Sequence, residues 1–208
     1  MIKAFLLLFK SVPTWESIVH SRRSLLYVLM VQFCPLLLLF CLGQGFYLVN
    51  WGHTRGIVPK PHIFGVNETV VFEAVQFVFW LIVLIVDAVM IKAFGETFHG
   101  RHTYTETFTV AGYTLSVLFL LLLVGAFVPI HDLVVFSIAM LFTLGTMYNG
   151  LPRILKPDPP HAFGLYLMSA ILVGLTGGIA AALAHWYLVG KFPKLQNIFA
   201  DWGSHLPF

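Results

Sequence analysis

Apolar side chains along this chain fall in long runs that cover every face of a helix, with polar residues collected between them. Five stretches stand out: about Ser24 to Val49, Thr69 to Phe94, Thr107 to Val128, Leu133 to Asn149 and Phe163 to Val189. A helix needs about 20 mostly apolar residues to cross the roughly 30 Å hydrocarbon core of a bilayer, and all but the fourth stretch reach that length. Only Pro129-Ile130-His131-Asp132 separates the third from the fourth, so these two are expected to form a tight helical hairpin. No alternating strand pattern with regular turns is present, which argues against a transmembrane barrel. Backbone polar groups in lipid must then pair within their own segment, and helices remain. The expected fold is an all-α, polytopic transmembrane bundle of five spans occupying residues 24–190.

The ends of the chain read differently. Residues 1–23 open with an apolar stretch, Met1 to Phe9, that is too short to span and is followed by Lys10, Pro13, Glu16, Arg22 and Arg23. A basic pair leads straight into the first full-length span without a small-residue cleavage site, so a signal-peptide reading fails. The expectation is a short N-terminal interfacial helix, with Phe5, Phe9 and Trp15 among lipid headgroups and Lys3 and Lys10 towards water. Residues 191–208 read as an extracytoplasmic tail that Trp202 and Phe208 anchor at the interface.

Composition agrees with the pattern. The 208 residues are 59% hydrophobic and 10% charged, against roughly 45 to 50% and about 25% in soluble domains. That balance excludes disorder and leaves too little polar surface for a water-exposed enzyme. Net charge is +3 and no basic run exceeds Arg22-Arg23, so nothing invites nucleic acid. Cys34 and Cys41 lie about 10.5 Å apart along a helix axis, beyond the roughly 7 Å reach of a disulfide. With five spans, Lys3, Lys10, Arg22, Arg23, Lys92, Arg101, Arg153 and Lys156 fall on one side, and Arg55, Lys60, Lys191 and Lys194 on the other. Basic loops stay inside, which places the N-terminus in the cytoplasm.

Four segments stand out from the apolar runs. They are Pro13-Thr14-Trp15-Glu16-Ser17-Ile18 at the entry, and Gly95-Glu96-Thr97-Phe98-His99-Gly100 leading through Phe108-Thr109-Val110-Ala111-Gly112-Tyr113 into the third span. The coupled third and fourth stretches follow, and then Tyr148-Asn149-Gly150-Leu151-Pro152-Arg153-Ile154-Leu155-Lys156-Pro157 before the last span. Together they resemble the bacterial branch of the Yip1 family, and the resemblance implies five spans, a cytoplasmic N-terminus, no cofactor and no catalytic activity. Eukaryotic relatives act in vesicle trafficking through small GTPases, but almost no soluble N-terminal domain precedes the spans here. Independently of the family, Gly150 and Pro152 are expected to stop the fourth helix. Arg153 and Lys156 then lie near its carbonyl end and an anionic leaflet, in a rigid elbow that serves as a plain loop or as a docking site.

Candidate chemistry is sparse. Asp87 lies about 8 Å to the cytoplasmic side of the middle of the second span, where an ionised carboxylate costs about 2.5 to 3.5 kcal/mol and should face the bundle. Lys92, Tyr113, Tyr148, Asn149 and Arg153 fall at the same end, so the six are expected to form one polar cluster, either a bond network fixing helix register or an ion, proton or ligand site. Glu73 and Gln76, one turn apart, are expected to snorkel to the outer interface, and Glu106 to favour the start of the third helix. His99 and His102 form an H-x-x-H without a third ligand, short of the usual zinc set, and no metal site is assigned. His185, one turn after Ala181, is an interfacial histidine or an axial ligand for a pigment or haem. In the fifth span Gly174 with Gly178, and Gly177 with Ala181, make two small-residue faces suited to helix packing. Asn67-Glu68-Thr69 matches a glycosylation sequon but abuts a span.

The resulting expectation is a non-catalytic membrane protein without cofactor. It acts by helix contacts with lipids, other membrane subunits or its own copies, in a bacterial inner membrane. The alternatives are a small transporter or channel using Asp87 and a cofactor-holding subunit using His185.

Overall fold

A computed structural model describes residues 2–21, 23–54, 61–98, 102–128, 130–158 and 160–192. His99, Arg101 and Pro129 lie outside the described residues, as does the proposed tail apart from Lys191 and Phe192. The described chain forms α1 (Ile2–Phe9), α2 (Ser11–Ser21), α3 (Leu25–Asn50), α4 (Val66–Thr97), α5 (Tyr104–Gly125), α6 (Asp132–Leu155) and α7 (Ala162–Leu188). The last five are long and apolar enough to cross a membrane. A two-residue antiparallel pairing, His53 with His62 and Thr54 with Pro61, closes the connection between α3 and α4.

The spans pack in a closed order, α3 against α4, α4 against α7, α7 against α6, α6 against α5 and α5 back against α3, with α5 also touching α4. Every residue from Thr107 to Phe119 in α5 is buried, the hydroxyls of Thr107, Thr109, Thr114 and Ser116 included, so the helix shows no apolar stripe facing a polar one. Phe119 anchors the centre, its ring 5.3 Å from Phe33, 5.9 Å from Phe40 and 5.0 Å from Trp80. In lipid such contacts hold helices by close fit and not by water exclusion.

Three features depart from the sequence reading, each for a local reason. First, α3 is π-helical over Val28–Phe33. Pro35 has no N–H for the carbonyl one turn back and its ring crowds that turn. The helix ahead of it widens to five-residue bonds, Cys34 N–H donating to Leu29 O. Second, the fourth span is not short. Instead of stopping at Gly150 and Pro152, α6 runs to Leu155 with Pro152 inside its last turn, and Lys156 ends it in the left-handed region at φ 45°. Its 24 residues span about 36 Å at 1.5 Å per residue.

Third, the N-terminal helices are part of the bundle. Helix α1 lies on α5 and α2 lies on α6, with Ala4, Leu7, Trp15 and Ile18 buried. Phe5 and Phe9 point outward, but the Trp15 ring turns inward. Its indole N–H donates to Thr146 O at 2.9 Å, and its ring meets Tyr113 edge-on at 6.1 Å. A β-carbon at Gly150 would strike that ring, so the glycine read as a helix stop is the floor of the tryptophan's seat.

Candidate functional site

The end of the bundle that carries the α3–α4 connection gathers two imidazoles and a carboxylate. Past α3, Gly52 adopts φ +72°, and a β-carbon there would collide with the His62 carbonyl. Glycine alone lets the chain fold back this closely and set His53 over the bundle. Asp132 opens α6, directly after His131, whose Nδ1 accepts from Leu133 N–H at 3.3 Å. The helix N-terminus favours a negative charge at that position. His185 comes from the last turn of α7. Asp132 Oδ2 lies 2.6 Å from His53 Nε2 and 3.6 Å from His185 Nδ1. The His131 ring sits 5.1 Å from that of His185, and the His53 ring 6.1 Å from it.

A crevice of about 90 Å³ descends from Asp132 and His185 between the spans, past Ala181 and Ala184, to Gln44, Gln76 and Trp80. Gln76 donates to Gln44 across α3 and α4 at 2.9 Å. The expectation that Glu73 and Gln76 reach out to the interface is therefore corrected. Gln76 faces α3, and Glu73 is buried, with its Cγ 3.4 Å from where a Gly45 β-carbon would stand. The crevice is also far smaller than the roughly 300 Å³ at which small-molecule sites begin.

Asp87 is fully buried, as its depth predicts, but its neighbourhood is not the expected one. Its Oδ1 accepts from Thr176 Oγ1 of α7 at 2.9 Å, and its Oδ2 has no hydrogen-bond partner among the described residues. The other five residues turn elsewhere. Lys92 pairs with Glu96 at 3.4 Å, and Tyr113 packs on Trp15. Tyr148 is exposed and meets the Tyr166 ring at 5.0 Å. Asn149 donates to Gly145 O, and Arg153 donates to Asn149 O. Depth along a span follows from residue count, whereas rotation about its axis depends on packing. Thr176 was the detectable missing partner, a hydroxyl inside the small-residue run of the last span.

The two small-residue faces of α7 have different surroundings. A β-carbon at Gly177 would lie 2.7 Å from Met140 Cε of α6, so that face is filled from within. At Gly174 and Gly178 a β-carbon would meet nothing within 4 Å among the described residues, and Ile171, Leu175 and Ile179 beside them are exposed.

Two smaller expectations meet direct geometry. Glu106 closes a capping box at the start of α5, its Oε2 accepting from Thr103 N–H and Thr103 Oγ1 at 2.9 Å each. His102 is buried over Gly95, and burial holds its imidazole below the ordinary histidine range although Glu106 pulls the other way. Cys34 and Cys41 are both free.

Comparison with known proteins adds one match: the family model described as Yip1 domain covers residues 5–183. The match begins inside α1 and takes in both N-terminal helices. No curated protein and no solved structure matches the chain.

Proposed function

Because the chain belongs to the Yip1 domain family and is a multi-pass membrane protein of that type, we propose that it works without catalysis, by lateral helix contacts, as a membrane-organising or accessory subunit of a larger membrane assembly. The observation that carries this reading is the open Gly174–Gly178 face of α7. Lipid tails gain nothing special from a smooth glycine groove, whereas another helix can bring its backbone close to it. In this reading the basic residues hold the N-terminus in the cytoplasm of a bacterial inner membrane, and the histidine-bearing end faces outward.

The two glycine faces provide the test. Gly178→Leu is expected to leave the thermal stability of the purified protein within about 2 °C of the parent while shifting its complex in mild detergent to a smaller particle. Gly177→Leu forces a side chain into Met140 and is expected to cost about 1 to 3 kcal/mol of stability. Native mass spectrometry and a thermal scan of the same two samples read both outcomes. A parent protein that is strictly monomeric with no co-purifying chain counts against the proposal.

A second reading, a small transporter or channel, rests on the buried Asp87 carboxylate with its unpartnered oxygen. The crevice below His185 is not lined by Asp87, and this favours the first reading. Reconstituted flux that vanishes in Asp87→Asn would reverse the order.

A further inference from the structure

We propose that His53, Asp132 and His185 form a binding site for a divalent transition-metal ion of the zinc type, which clamps together the α3–α4 connection, the start of α6 and the end of α7. Each residue offers one ligand atom, and the three atoms lie within 4.8 Å of one another. Zinc bonds to imidazole nitrogen and carboxylate oxygen are about 2.0 to 2.2 Å, so donors at the corners of a tetrahedron stand roughly 3.3 to 3.5 Å apart. Asp132 Oδ2 lies 3.6 Å from His185 Nδ1 and 2.6 Å from His53 Nε2. The first distance already suits a shared ion. The second requires the His53 ring to withdraw by under about 1 Å, and His53 lies in the two-residue pairing of the α3–α4 connection, outside the helices.

The state of His185 points the same way. Its Nδ1 is buried and has no hydrogen-bond partner among the described residues, although it points at a carboxylate. At 3.6 Å the gap is too long for a hydrogen bond. A metal between the two groups gives the nitrogen a partner and keeps the carboxylate in contact with both rings. The donor set selects the ion. Two imidazoles and one carboxylate suit zinc and its first-row neighbours, whereas calcium and magnesium prefer all-oxygen shells. Three protein ligands leave a fourth position for water, and the Asp132 side chain is 47% exposed, so water and the ion reach the site from the bundle end. His131, packed on His185, limits the rotation of that ring.

The test uses the full-length, tag-free protein in detergent, titrated with Zn²⁺ by calorimetry and with Co²⁺ by visible absorption. The expected result is one ion per chain, Co²⁺ bands of tetrahedral intensity, and a melting temperature that rises with Zn²⁺ concentration. Asp132→Asn, His185→Gln and His53→Gln are each expected to weaken binding at least tenfold, on the order of the loss when a metal's supporting shell is broken, whereas His102→Gln binds as the parent does. Because His53 lies outside the helices, His53→Gln carries the test even if His185→Gln folds poorly. Absence of saturable Zn²⁺ binding in the parent, or parent-like binding in His53→Gln, overturns the assignment. The readout is independent of the Gly174–Gly178 face, so the metal site and the helix-contact reading fail or stand separately.

Discussion

Replacing Trp15 by alanine is expected to cost about 3 to 5 kcal/mol, the range for removing a buried aromatic ring from a packed core. At roughly 2 to 4 °C per kcal/mol for a chain of this size, the melting temperature of the detergent-solubilised protein falls by about 10 °C. The ring is fully buried, lies over Gly150, meets Tyr113 edge-on and donates its N–H to Thr146 O. Trp15→Phe keeps most of the packing and loses the hydrogen bond, so about 1 kcal/mol of the effect should separate out. Gly150→Leu fills the seat from the other side and should resemble Trp15→Ala. A loss under about 1 kcal/mol in Trp15→Ala would mean that α2 lies loosely on the bundle, as an interfacial helix would.

The second large effect is expected at Thr176. Its hydroxyl is the only hydrogen-bond donor that reaches Asp87 among the described residues, so Thr176→Val leaves the carboxyl buried without a partner and costs about 1 to 3 kcal/mol. Asp87→Leu should be milder. The single Thr176 Oγ1 proton then turns to a carbonyl of its own helix, Leu172 O at 3.0 Å or Val173 O at 3.3 Å, and an apolar residue of similar volume often replaces a buried polar group at little cost. Urea or thermal unfolding of the two variants side by side reads the asymmetry. If Thr176→Val is neutral and Asp87→Leu collapses the fold, the carboxyl has a partner other than Thr176.

The spans were legible because membrane insertion demands long apolar runs whatever the tertiary structure. The hairpin between α5 and α6 followed from the shortness of its break, and the Glu106 cap from a local three-residue spacing. What escaped depends on rotation about helix axes and on close approach. Gly150 and Pro152 look like stops in sequence, yet α6 continues because its last turn tolerates one missing N–H and Trp15 needs a residue without a β-carbon. The polar cluster around Asp87 failed for the same reason, since Lys92, Tyr148 and Arg153 share its depth but face other ways. The His53, Asp132 and His185 group was invisible because its members lie on three elements, the first two 79 residues apart. Only His185 carried a signal, its position one turn after Ala181, and that signal suggested a larger ligand than the crevice holds.

Lateral contact through the open face of α7 is tested most directly by photocrosslinking in native membranes. A crosslinker at Leu175, 61% exposed between the two open glycines, is compared with one at Leu141, 71% exposed on α6. The expected outcome is a discrete protein adduct from position 175 that disappears when Gly178→Leu is added, with none from position 141. No protein adduct from position 175 would show that this face meets only lipid, and adducts that are the same from both positions or that survive Gly178→Leu would show contact that does not depend on the glycine face; each result would contradict the account.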